Sequence, residues 1–211
     1  MLQDIKSPQL FNPYSDVCEY NDIGPISPMM RTNNLRKYLT ILKNSPNILI
    51  GEAPGYLGCR RTGLAFTDEL TYPLLAQIYG LVMSIATKSG KNKEQSATFV
   101  WGVLSRLKNP PFLWNIVPLH PFDKTGLSNR TPRVADIAAT KTVTTYFLDN
   151  VHFENIYAVG HVSERMLNTL GFDCTYIRHP ARGGSKKFTA GILEHFETKD
   201  EVSNSTLNTF F

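Results

Sequence analysis

Ile48-Leu49-Ile50-Gly51-Glu52-Ala53-Pro54-Gly55 is the stretch on which the reading of this 211-residue chain turns. A short apolar run leads into a tight Gly-Pro-Gly turn that contains one carboxylate. A buried strand ending in such a turn delivers its last residues to the rim of a sheet, and open α/β sheets bind ligands at that rim. Glu52 would stand there, with stiff backbone on either side.

Outward from this strand, the pattern alternates. Before it, residues Arg31 onward put Leu35, Tyr38, Leu39 and Leu42 on one helical face, with Thr32 or Asn33 as cap and Asn44-Ser45-Pro46 as stop. After it, Tyr56 to Thr67 reads as a Gly- and Arg-rich loop. Thr67 then caps a helix with Asp68 and Glu69 in its first turn, running to about Ala86. Thr87 to Gln95 is polar and lysine-rich, a solvent loop by composition. The period of Thr98 to Leu107 fits helix or strand. Pro111–Pro118 reads as a second buried strand, continued by Leu119-His120-Pro121 along the rim. Thr131-Pro132 opens a helix to about Leu148. Asn155–Gly160 is a third strand, Ser163–Leu170 a helix closed by Gly171, and Cys174–Arg178 a fourth strand, followed by a last helix to about Phe196. Met1–Pro28 holds four of the thirteen prolines and reads as an irregular arm packed through Leu10, Phe11, Tyr14 and Tyr20. The tail from Glu197 to Phe211 is polar and expected to fray. Apolar runs alternating with helices predict one α/β domain over 1–211, a three-layer αβα arrangement around a central four-stranded, mainly parallel sheet.

Composition narrows the function classes. Hydrophobic residues make up 42% and charged residues 19%, ordinary for a soluble globular protein. The net charge of +4 suits a polyanionic partner without requiring one. Cys18, Cys59 and Cys174 are too few and too scattered for a disulfide framework, a zinc site or a four-thiolate cluster, so no metal or cofactor is expected. No stretch approaches the ~20 apolar residues of a membrane helix, and the first residues lack a signal-type apolar run. A soluble, intracellular protein is the expectation. Neither a phosphate-loop nor a dinucleotide glycine motif is present.

Right-handed crossovers bring all four strand ends to one rim. Glu52, Asn115, His120, Gly160 and His179 then share it. A carboxylate can orient a water or stabilise a nearby cation. A buried amide offers the donor pair and acceptor that match a pyrimidine edge. A histidine can hydrogen-bond an oxygen where negative charge develops. Phe66 offers a flat face for stacking. The loop Arg178-His179-Pro180-Ala181-Arg182-Gly183-Gly184-Ser185-Lys186-Lys187 combines close backbone approach with positive charge, which suits a phosphate backbone. Each residue also has a plainer reading: Glu52 as a turn or cap carboxylate, Asn115 as a satisfied core amide, Phe66 as core, His179 and the basic loop as surface.

Taken in order, Gly51-Glu52-Ala53-Pro54-Gly55, Gly63-x-x-Phe66, Trp114-Asn115, Gly160 and Arg178-His179-Pro180 resemble the uracil-DNA glycosylase superfamily, from about Asn47 to about Phe196. The first motif is closest to that of the iron-sulfur branch, whose four cysteine ligands this chain lacks. The resemblance implies a metal-free enzyme that flips a damaged base, chiefly uracil, out of DNA and cuts its N-glycosidic bond. It makes Glu52 and His179 catalytic. It assigns Gly51, Ala53, Pro54, Gly55, Phe66 and Asn115 to the base, and Arg178, Pro180, Arg182, Gly183, Ser185 and Lys186 to DNA. Arg182 is then a wedge or a phosphate contact. The implied partner is DNA carrying uracil or another damaged base, met by a monomer. In the branch most selective for uracil, an aspartate and a methyl-excluding tyrosine stand where this chain has Ala53 and Gly55. Tyr56 is one candidate to replace that wall. Arg60 and Arg61 are either DNA contacts or plain surface. The rival reading is a weak or inactive member of the superfamily that binds DNA or a protein partner.

Overall fold

A computed structural model describes residues 1–123 and 128–199. Strands β1 (Leu10–Phe11), β2 (Asn47–Gly51), β3 (Phe112–Asn115), β4 (His120–Pro121), β5 (Asn155–Val159) and β6 (Thr175–Ile177) are joined by helices. These are α1 (Ser27–Leu39), α2 (Cys59–Thr62), α3 (Tyr72–Tyr79), α4 (Gln95–Leu104), α5 (Val134–Asn150), α6 (His161–Leu170) and α7 (Ser185–His195). The central sheet has the order β3-β2-β5-β6, and every pair in it is parallel. Successive side chains of a strand point to opposite faces. Ile48, Leu49 and Ile50 are each 0% exposed, so both faces of β2 are covered. This is the expected αβα architecture, with the predicted four strands.

The arm is more ordered than its prolines suggest. β1 pairs antiparallel with β4, Leu10 opposite Pro121 and Phe11 opposite His120. Leu10, Phe11 and Tyr14 are buried as expected, whereas Tyr20 is 79% exposed and does not anchor the arm. Helix α1 begins at Ser27, ahead of the Arg31 start, because Pro28 fits the first turn. Arg31 and Asn34 are fully buried on its inner face. Arg31 forms a bidentate pair with Asp22 at 2.9 and 3.1 Å and donates to the Pro13 and Asp16 carbonyls. Arg31→Ala is expected to cost about 3–5 kcal/mol, since it strands a buried carboxylate. A shift of the urea midpoint checks this.

Four further expectations change. Helix α3 ends at Tyr79, because Gly80 adopts the left-handed cap. Asp68, not Thr67, caps the preceding turn, accepting from Thr71 N–H at 2.9 Å. Thr87–Gln95 is not a free solvent loop: Thr87 is buried, and Asn92 Nδ2 donates to Glu69 at 2.9 Å. The ambiguous stretch Thr98–Leu107 is largely helix, within α4. Helix α5 starts after Arg133, whose N–H donates to Asp136 Oδ2 at 2.7 Å, so Thr131 is not its cap. Of the tail, Glu197 O accepts from Lys108 N–H at 2.9 Å and Lys199 N–H donates to Arg106 O at 2.8 Å. Residues 200–211 lie outside the described residues.

Candidate active site

Parallel register sets Gly51 at the end of β2 beside Asn115 at the end of β3. The chain continues in step beyond the sheet. Ile116 N–H donates to Gly51 O at 2.9 Å and Val117 N–H to Glu52 O at 3.0 Å. Position 51 has no room for a side chain. A Cβ there would run into the Phe66 ring and lie 2.8 Å from Asn115 Oδ1. Phe66 has a left-handed backbone, φ 52°, and its carbonyl accepts from Trp101 Nε1 at 3.0 Å. A bulky residue in that region is strained, which the surrounding packing must hold in place. Its aromatic ring thus lies against Gly51 and Asn115.

One cleft of about 40 Å³ is lined by Glu52, Ala53, Gly55, Phe66, Asn115 and His179, together with Cys59, Glu94 and Ser96. The strand pattern placed Glu52, Asn115 and His179 at a common rim, and the resemblance added Ala53, Gly55 and Phe66; neither nominated the other three. Asn115 is 5% exposed and its Nδ2 donates to Cys59 Sγ at 3.5 Å. Burial raises the Glu52 carboxyl above the usual range, opposed by a hydrogen bond from Thr131 and by the Arg165 and Arg182 charges. Thr131 therefore serves the carboxylate rather than a helix end. Burial and the Asp68 charge hold Glu94 up at about 7. A larger hollow of about 720 Å³ between the ends of α4 and α7 contains none of these rim residues.

His179 is set up as a donor. Ala181 N–H donates to its Nδ1 at 3.1 Å, so in the neutral ring the hydrogen sits on Nε2. Burial, with Arg178 and Arg182 nearby, lowers its pKa and keeps the ring neutral at neutral pH. Gly160 lets the ring's stem approach, since a Cβ there would sit 3.2 Å from His179 Cβ. Past His179 the loop divides into inner and outer residues. Arg178 is half-buried, its Nη1 donating to the His179 carbonyl at 2.8 Å, and Pro180 is buried. Arg182, Gly183 and Lys186 are exposed, Ser185 is half-buried, and Arg182 has φ 52°.

The remaining expectations are corrected. Arg60 and Arg61 are buried rather than surface-exposed. Arg60 stacks over Phe11 at 4.0 Å and Arg61 over Tyr56 at 4.7 Å. Tyr56, turned to these guanidinium groups, does not line the cleft. His120 is 0% exposed and lies behind the turn, with Nδ1 donating to the Pro54 carbonyl at 2.7 Å. Burial lowers its pKa from 6.5 to about 4. Between these pH values the unfolded chain takes up a proton that the folded one refuses, so stability is full above about 6.5 and falls as pH drops toward 4. The loss is about 3 kcal/mol. Denaturant midpoints of wild type and His120→Gln across that range check it, because the variant should lose this part of the slope.

The arrangement is that of the open α/β proteins, with a cleft at the carboxyl ends of a parallel sheet. Among solved structures it is similar to the crystal structure of wild-type SMUG2 from Pedobacter heparinus, at TM-score 0.61 and 12% identity. The match covers 90% of this chain and 91% of that one. No protein-family profile and no curated protein matches the sequence. Among the described residues no cluster of three or more His, Cys, Asp or Glu side chains is placed to hold a metal ion, and no helix is long and apolar enough to cross a membrane.

Proposed function

We propose that the protein is a monofunctional DNA glycosylase that hydrolyses the N-glycosidic bond of uracil, or of a related deaminated base, in base-excision repair. The observation that carries this reading is the convergence of Glu52, Phe66, Asn115 and His179 on one cleft. These residues come from four separate segments whose order resembles that of the uracil-DNA glycosylase superfamily. The fold shared with SMUG2, a protein of that superfamily, supports it.

Breaking the sugar–base bond puts positive charge on the sugar and negative charge on the departing base. Groups that meet those charges as they form lower the barrier. Glu52 orients and activates the attacking water and favours the cationic sugar. His179 Nε2–H donates to the base oxygen on which negative charge develops. Phe66 stacks on the flipped base, and Asn115 reads its edge. Gly51, Ala53, Pro54 and Gly55 shape the pocket floor. The exposed Arg182, Gly183 and Lys186, with Ser185 at the start of α7, meet the DNA backbone, where a helix N-terminus also favours phosphate. The protein acts on DNA as a monomer inside the cell.

The test is incubation with duplexes containing uracil, hypoxanthine, xanthine or a thymine mismatch, followed by alkali. Strand breaks at uracil are the expected result. Tight, salt-sensitive binding without release of any base would overturn catalysis and leave a binding module.

A further inference from the structure

The cleft has a wall that none of the recognised motifs supplies. Glu94 is the residue just ahead of α4, in an extended conformation. Its N–H donates to Asp68 Oδ2 at 2.8 Å and its carbonyl accepts from Thr98 N–H at 3.0 Å, so both ends of its backbone are fixed. From this anchor the side chain crosses to the turn after β2. A Cβ on either Gly55 or Gly58 would collide with its carboxyl group. The backbone N–H of Cys59 hydrogen-bonds that carboxyl. The two glycines thus leave a space that Glu94, reaching over from another segment, fills, and its carboxyl lines the same cleft as Asn115 and Phe66.

We infer that Glu94 is a specificity-determining residue, a polar wall beside Gly55 that admits a pyrimidine with a bare 5-carbon and rejects one that carries a methyl group there. The inference rests on the glycosylase reading of the site and names its substrate class more narrowly. The physical reason is twofold. The Glu94 carboxyl fills the space over Gly55 and Gly58, so a methyl group on that side has no room unless the wall moves, and the backbone that carries the wall is tied at Asp68 and Thr98. A methyl pressed on a desolvated carboxyl also displaces any polar partner and gives nothing back. Burial and the neighbouring Asp68 already hold this carboxyl at about 7, so it is poorly solvated before a base arrives. Removing the side chain leaves two adjacent glycine surfaces and an open side to the pocket.

The experiment compares release of uracil and thymine, each opposite guanine, by wild type, Glu94→Ala and Glu94→Gln in single turnover. Glu94→Ala should raise the thymine-to-uracil rate ratio by about 10–200-fold, the range that one methyl group spans in pocket discrimination. Glu94→Gln, similar in volume, should keep a ratio near that of wild type. A coincident melting curve for the glutamine variant shows that the turn is intact. Uracil release by wild type with equal ratios in all three proteins overturns the wall and leaves the glycosylase reading standing. No uracil release by wild type overturns both. Glu94→Ala that has lost uracil release along with its melting transition is replaced by Glu94→Ser, to which the same ratio criterion applies.

Discussion

His179→Ala should lower the single-turnover rate of uracil release by about 10²–10³-fold, the loss that follows removal of one preorganised donor from a site of developing negative charge. The geometry makes the histidine a donor before any substrate arrives. Ala181 N–H occupies the Nδ1 lone pair, so the ring's own hydrogen is on Nε2. A proton on Nδ1 would set two N–H groups against each other. That opposes the imidazolium in addition to the burial and the Arg178 and Arg182 charges that already lower its pKa. A neutral imidazole is a weaker acid than its cation, so it donates a hydrogen bond without handing over the proton. The loss should appear in the chemical step and leave duplex binding within a few-fold, because the exposed cations Arg182 and Lys186 are untouched. A variant that keeps its rate would remove His179 from the chemistry.

Glu52→Gln should cost about 10²–10⁴-fold in the same assay, the range of a positioned general base. Gln keeps the size of the side chain and can still accept from Thr131, so the turn should hold. Only the negative charge is lost. The pH profile separates charge from shape. In the proposed reaction Glu52 acts ionised, and burial raises its pKa, so the wild-type rate should fall as pH drops through that raised value. The glutamine variant should lose this acid limb. Glu94 lines the same cleft but is held up at about 7, which makes it the weaker acid of the two. Environments that separate two carboxyl groups in this way commonly separate their roles. An acid limb that persists in Glu52→Gln would assign the titration elsewhere.

The sheet was legible because its signal is local. Ile48-Leu49-Ile50, Phe112-Leu113-Trp114 and Tyr157-Ala158-Val159 are buried on both faces, and short apolar runs bounded by turn residues are what a covered strand needs. The rim residues were legible for the same reason, since strand ends carry them to one place. What could not be read depended on distant partners. Arg31, Arg60 and Arg61 look like surface until Asp22, Phe11 and Tyr56 arrive to pair or stack with them. Three lysines among residues 87–95 hid Thr87, Asn92 and Glu94, whose contacts are with residues 55–69. Thr131 has a sequence context suited to a helix cap, and its hydroxyl is drawn instead to Glu52. The unusual pair Gly55 and Gly58 was the one available clue that another side chain fills the turn from outside.

The pairing of Phe11 with His120 has a kinetic consequence. His120 holds the Pro54 carbonyl, and the β1–β4 pair helps to hold His120, so the turn that carries Glu52 leans on two strands more than a hundred residues apart in sequence. Closing a loop of that size carries an entropic cost that is recovered only once the contacts at both ends form. The sheet's β2–β3 pair and the local helices can assemble with shorter closures. Competence therefore comes late on the folding route: a chain with its secondary structure in place is still short of an aligned Glu52 until its first residues have docked.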